Sequence, residues 1–253
     1  MNRTDPADSV RAHRSYRRLD FPHGRHNALT FLCVVAVEVL LWSSFPSIDR
    51  FASAVAITLL GRTVGDISLD TTHYGPVTVY PIVFSTPALG YRTLVVWIIA
   101  CVVLMVLTGL SKKLVAAPAR FIATYNLFIV LVSALYLLFN GTMGYSAQAF
   151  SSLYVTTCAF VWALMPVITW VYGFFLGPGP MAFLMAASLL YEFCFSVARY
   201  SLIVLLLHLF GVVLMPVLYL SFGPLLDFVL YVGIFSLLLP RMAHQTDAGH
   251  SWR

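Results

Sequence analysis

Long apolar runs, broken by short polar or Gly/Pro-rich stretches, set the organisation of this chain. The runs do not alternate between polar and apolar positions and are far longer than strands, which excludes a transmembrane barrel. They predict six membrane-spanning helices, at about 28–45, 93–110, 121–139, 151–176, 181–210 and 225–239. Most approach the roughly 20 residues needed to cross a ~30 Å hydrocarbon core, and the sixth is short. The expected fold is an all-α integral membrane protein, a bundle of about six transmembrane helices. The longest break, 46–92, contains a short apolar piece at 51–60 that is expected to lie in the interface. Asp66, Asp70 and His73 follow, and then the β-prone Val77-Thr78-Val79-Tyr80. The stretch 211–224 is apolar but interrupted by Pro216, Gly223 and Pro224. It reads as an interfacial or re-entrant segment, with a seventh span as the rival.

Composition strengthens the membrane reading. Of 253 residues, 60% are hydrophobic and 10% charged, and mean hydropathy is +0.88. One soluble core cannot hide that much apolar surface. The formal charge of +5 needs no nucleic-acid partner, because six arginines precede Asn27, where they would meet membrane lipids of an anionic leaflet. Lys112, Lys113, Arg120, Arg241 and Arg253 fall on the same side as that tail, against Arg50, Arg62 and Arg92 on the other. The bias predicts both termini in the cytoplasm and a multi-pass protein of the cell inner (plasma) membrane. The organisation expected is a basic tail at 1–27, a transmembrane domain at 28–240 with an outer loop at 46–92, and a second tail at 241–253. The polar N-terminal region is too long for a cleavable signal peptide, and no internal repeat supports an inverted-repeat transporter.

The chemistry starts from Arg199, inside a nearly unbroken apolar run. Its guanidinium cannot shed a proton, so it must face a protein interior, a partner or water, or else snorkel to the headgroups. Counting ~1.5 Å per residue from Met181 puts Arg199 ~27 Å up its span, near the outer boundary. The same count puts Cys158 ~10 Å below that boundary. Asp227 and Leu230, at the outer start of the sixth span, and His208, at the upper end of the fifth, are assigned to the same outer layer. One layer then holds a thiol, a guanidinium, an imidazole and a carboxylate. A thiol and a fixed cation in one cavity point to a nucleophile, with the side chains expected within ~4–6 Å. Cys194 precedes Arg199 by five residues and points about 140° away around the helix. His208 lies on the helix face opposite Arg199. Glu38 and Glu192 sit near mid-membrane, and Glu192, Ser196 and Arg199 share one face, predicting a polar interior stripe or a proton path. The four cysteines lack the paired spacing of a metal site, and no cofactor motif occurs.

The order and spacing of these residues resemble the exosortase/archaeosortase superfamily over about a third of the chain, Cys158 to Gly233. Thr156-Thr157-Cys158-Ala159-Phe160 stands where the family has Cys-Ser/Thr-Gly. Ser196-Val197-Ala198-Arg199 stands where it has Asn-x-x-Arg. Asp227-Phe228-Val229-Leu230-Tyr231-Val232-Gly233 has the outline of its third motif, with Leu230 in place of the histidine. The resemblance implies a membrane-embedded cysteine peptidase or transpeptidase acting at the outer face on C-terminal sorting signals of exported proteins. Cys158 would be the nucleophile and Arg199 the stabiliser of thiolate or oxyanion, with His208 or Asp227 handling protons. The alternatives are a non-catalytic exosortase-like scaffold for envelope or polysaccharide export, partnered by that machinery, and a small proton-coupled transporter using Glu38 and Glu192.

Overall fold

The computed structural model of the chain describes residues 24–74, 77–111, 116–141, 146–173 and 178–223, and beyond them 226, 227, 229, 231–233 and 236. It is a multi-pass helical membrane protein. Five helices are long and apolar enough to cross a bilayer. They are α1 (Gly24–Leu60), α2 (Tyr91–Leu110), α3 (Ala117–Asn140), α4 (Ala147–Gly173) and α5 (Pro178–Phe210). Four of them contain the expected span whole, and α4 covers the fourth, 151–176, as far as Gly173, beyond which 174–176 lie outside the described residues.

The largest departure is α1. It runs unbroken through Pro46 for 37 residues, about 55 Å, so 51–60 is its last part and not a separate interfacial piece. Pro46, the serines around it, Asp49 and Arg50 read as a boundary in sequence. In the fold the two polar residues that face inward have partners. The Asp49 carboxylate accepts the Tyr80 N–H (2.6 Å), and the Ser53 hydroxyl donates to the Tyr80 carbonyl (2.8 Å). A helix keeps its course where its polar groups are satisfied.

What remains of the expected loop is an irregular β-hairpin. Strand β1 (Ile67–Leu69) pairs with β4 (Ile82–Phe84), and β2 (Thr72–Tyr74) with β3 (Val77–Val79), both antiparallel. Ile67 faces Phe84, and Thr72 faces Val79, so one register runs through both ladders. The Asp70 N–H to Pro81 carbonyl bond (3.0 Å) continues it across the gap. The hairpin is sunk into one end of the bundle, hereafter the cap end. Val79 and Ile82 are wholly buried. The Tyr200 hydroxyl accepts the Ile82 N–H ten residues before α5 ends. From there the chain climbs beside α5. Ser85 meets His208, and Leu89 packs over Gly211, where an added Cβ would lie 3.1 Å from it. Gly211 has φ +76°, which lets the chain turn sharply off α5.

After that turn a single 3-10 turn (Val212–Leu214) leads into α6 (Met215–Phe222), together too short to span a bilayer. Met215, Val217 and Leu218 are buried, and Ser221 is hydrogen-bonded to the Asn126 side chain of α3. The segment therefore packs against α3 and α5. Leu230, Lys112, Lys113, Arg241 and Arg253 lie outside the described residues, as do the expected tail at 241–253 and residues 1–23 of the one at 1–27, whose last four residues, 24–27, already belong to α1.

Candidate functional site

The site forms where α4, α5 and the chain beyond α6 converge. On α4, Tyr154 and Cys158 are four residues apart and share a face. On α5, Glu192, Ser196 and Arg199 form the expected stripe and point inward. Glu192 is 1% exposed, and Arg199 and Asp227 are 4% and 3%. Asp227 grips the guanidinium with both oxygens. Nη1 pairs with Oδ1, and Nη2 donates to Oδ2 at 2.9 Å. A fork-to-fork pair of this kind fixes the plane of the guanidinium as well as its position.

The plane so fixed directs Nη2 at the Cys158 sulfur, 3.6 Å away. Nη1 also reaches the Gly223 carbonyl at 3.4 Å, which accepts the Leu226 N–H as well. The guanidinium packs over two rings, with centroids 5.4 Å away for Tyr154 and 5.2 Å for Phe195. The Tyr154 hydroxyl lies beside the same sulfur but does not meet hydrogen-bond geometry. The Ser196 hydroxyl donates to Glu192 (2.8 Å), so that carboxyl is held within the stripe and not on Arg199.

A cavity of about 40 Å³ adjoins the sulfur, with room for water and none for a peptide. Its lining includes Cys158, Tyr154 and Ser196 together with Asp49, Ser53 and Tyr200. Cys158 is half-buried. Cys33 and Cys194 are exposed on the outside of the bundle and Cys101 is buried.

Of the residues singled out from sequence, Cys158, Arg199 and Asp227 come together. His208 does not join them. It is held at the cap end by the Ser85 carbonyl, to which Nδ1–H donates at 3.0 Å. It is nine residues, about 13 Å, from Arg199 along α5. Glu38 is on α1, with a buried Oε1 that has no hydrogen-bond partner among the described residues. Sequence reasoning did not single out Tyr154, although its four-residue spacing from Cys158 was a usable signal. It also passed over Asp49 and Tyr200, whose partners lie 31 and 118 residues away. Among the described residues no group of His, Cys, Asp and Glu side chains has the arrangement of a metal site.

No family model, curated protein or solved structure matches the chain. Its function therefore has to be argued from this geometry and from the order of its residues.

Proposed function

We propose that the protein is an exosortase-like cysteine peptidase or transpeptidase of the inner membrane, acting at the outer face on C-terminal sorting signals of exported proteins. The single observation that supports this most is the contact between the Arg199 guanidinium and the Cys158 sulfur, held in line by Asp227. In this reading the Cys158 thiolate attacks a peptide carbonyl carbon. Arg199 balances first the thiolate and then the oxyanion that forms on the carbonyl oxygen. Collapse of that oxyanion expels the amine of the C-terminal fragment, which takes up a proton, and leaves a thioester on Cys158. Water resolves the thioester to a free carboxylate, and a second amine resolves it to a new amide.

Asp227 is then a positioning residue and not a base, since both of its oxygens are engaged on Arg199. Tyr154 is the polar group next to the sulfur and is assigned the proton relay from thiol to departing amine. Of the two proton carriers implied by the family resemblance, His208 is occupied with the cap. The sixth span at 225–239 and the cytoplasmic termini complete the arrangement. The cap end then faces outward, which agrees with the lysine and arginine bias.

The test is cleavage of an exported reporter protein carrying a C-terminal sorting signal. Cys158→Ala should abolish cleavage while the protein still inserts and folds, because alanine is well tolerated in a helix. Cleavage that survives this change removes the peptidase reading. A reporter fused after His244 should remain on the cytoplasmic side, and an outside signal would require a seventh span. The second reading, a non-catalytic exosortase-like scaffold, is favoured by one observation: no imidazole reaches Cys158 among the described residues. It expects Cys158→Ala to leave export and envelope phenotypes unchanged.

A further inference from the structure

The hairpin meets the bundle through backbone groups in a way that ordinary loop packing does not need. In an antiparallel pair, alternate residues turn their N–H and C=O toward the partner strand and away from it. The Pro81 carbonyl takes the Asp70 N–H, so Tyr80 and Ile82 turn theirs away. They form the free edge of the hairpin. All four of those backbone groups are taken by side chains of three different spans. Asp49 and Ser53 of α1 take the N–H and C=O of Tyr80 (2.6 and 2.8 Å). At Ile82 the bonds close a ring. Its N–H donates to the Tyr200 hydroxyl of α5 (2.8 Å), Tyr200 is bonded to the Ser151 hydroxyl of α4, and Ser151 donates back to the Ile82 carbonyl (2.9 Å).

Asp49, Ser53, Ser151 and Tyr200 are themselves buried at 8, 1, 1 and 6% exposure. Buried polar side chains in an apolar bundle are costly unless matched. Asp49 and Ser53 find their partners in the strand backbone alone, and Ser151 and Tyr200, bonded to each other, complete their set at the i, i+2 position. Three of them, Asp49, Ser53 and Tyr200, also line the cavity on which Cys158 opens. Tyr200 stacks on Tyr154 (centroids 5.5 Å apart, planes within 9°), and Tyr154 carries the Arg199 guanidinium on its ring. A strand seated here is held by side chains that also line the cavity beside the thiol. The hairpin keeps one register within itself, so it can leave the groove without losing its own ladder.

We propose that Asp49, Ser53, Ser151 and Tyr200 form a receiving site for the edge of an extended, apolar peptide, and that residues 80–82 occupy it as an internal stand-in for that guest. This is strand addition to a sheet edge with helix side chains in place of the neighbouring strand. The site stands on the hydrogen-bond geometry. Only the identity of its natural guest, a segment of an exported protein, rests on the peptidase reading.

The experiment loosens the stand-in and leaves the groove intact. Ile82→Pro removes the N–H that donates to Tyr200 and changes nothing on α1, α4 or α5. The full-length protein in detergent micelles is treated with a small thiol reagent, and labelling is followed by mass spectrometry cysteine by cysteine. Cys158 should label about tenfold faster in Ile82→Pro than in the unaltered protein, the shift expected from one lost buried hydrogen bond. The synthetic peptide Thr-Val-Tyr-Pro-Ile-Val-Phe, extended with lysines for solubility, should restore slow labelling. The same peptide N-methylated at its isoleucine should not.

Cys101, 1% exposed, reports whether the bundle itself is intact. If Ile82→Pro exposes it, Val79→Asp, which places a charge at a wholly buried cap position, is read in the same way. Unchanged Cys158 labelling with Cys101 protected overturns the proposal. So does faster labelling that the peptide fails to reverse, and so does loss of Cys101 protection in both variants, which would make 80–82 part of the core. None of these readings requires the protein to cleave anything, so failure of the peptidase assay leaves them standing.

Discussion

The α2–α3 hairpin and the α1–α4–α5 trio solve the same problem of helix packing in a membrane by different means. Helices α2 and α3 lie against each other along their length, with Cys101, Val130, Ala134 and Leu137 buried. The cross-helix polar contact between them is one hydroxyl pair, Thr108–Thr124 at 3.4 Å. In the trio, each helix carries polar residues into the interior. Asp49 and Ser53 come from α1, Ser151 from α4, and Glu192, Ser196, Arg199 and Tyr200 from α5. Lipid is as apolar as leucine, so polar groups are not required to bring two spans together. Where many gather, they mark a site. The difference separates a trio that gathers buried polar groups from a hairpin held mainly by apolar packing, and the proposed chemistry depends on the first.

The sharpest way to break this comparison is to remove one partner of the Arg199–Asp227 pair. Asp227→Ala leaves a buried guanidinium without its counter-charge and should cost about 3–5 kcal/mol. The joint change Arg199→Met with Asp227→Leu, which removes both charges, should recover most of that loss. Unfolding in mixed micelles of increasing denaturing-detergent content measures both. If Asp227→Ala costs less than about 1 kcal/mol, the pair is solvated, and the trio does not hold a buried charged centre.

A smaller loss is expected at the cap. Asp49→Ala strands the buried Tyr80 N–H and should cost about 1–3 kcal/mol. Ser151→Ala should fall in the lower part of that range, because the Tyr200 hydroxyl remains beside Ile82. Limited proteolysis in the 61–90 segment provides a second readout, with cleavage rising in the same order. Equal resistance in both variants would mean that apolar burial of Val79 and Ile82 alone seats the hairpin.

These contrasts also mark how far the chain was legible as sequence. Five spans were readable because ~20 apolar residues in a row have few alternatives. The site trio of Cys158, Arg199 and Asp227 was readable because helical rise converts position into depth, and the structure has Arg199 within reach of both others. His208 was grouped with them only as an outer-end residue. Nine residues of helical rise carry it about 13 Å beyond Arg199, where the Ser85 carbonyl holds the ring. The passage of α1 through Pro46 was hidden because its inward polar residues are satisfied by Tyr80, some thirty positions later. Side-chain bonds across 69 and 118 residues leave no periodic trace. That is why a β-prone stretch was visible at 77–80 but its descent into the bundle was not.

A test closer to the chemistry concerns the thiol. Replacing the pair by neutral polar residues, Arg199→Gln with Asp227→Asn, leaves amides in place of the ions and removes the charge facing Cys158. Alkylation of Cys158 should slow by about tenfold, equivalent to ~1.4 kcal/mol, since the thiolate is the reacting species and loses its cation. Rates at Cys33 and Cys194, both on the outside, should not change. Equal slowing at all three would indicate a change in reagent access and remove Arg199 from any role in activating the thiol.

The smallest effect is expected in the α2–α3 hairpin, and it sharpens the comparison most. Thr108 donates to the Met105 carbonyl within its own helix at 2.8 Å, so its hydroxyl is satisfied without Thr124. The 3.4 Å approach to Thr124 lies at the long end of hydrogen-bond distances. Hydrogen bonds between spans average only about 0.6 kcal/mol, because the unfolded chain in the membrane also finds partners. Thr108→Val keeps the volume and removes the hydroxyl. It should change stability by no more than that amount in the same mixed-micelle assay used for Asp227→Ala. A loss approaching the 3–5 kcal/mol expected for the buried ion pair would show that one hydroxyl in the scaffold matters as much as the charged centre. The division between a polar working trio and an apolar supporting hairpin would then have no energetic basis.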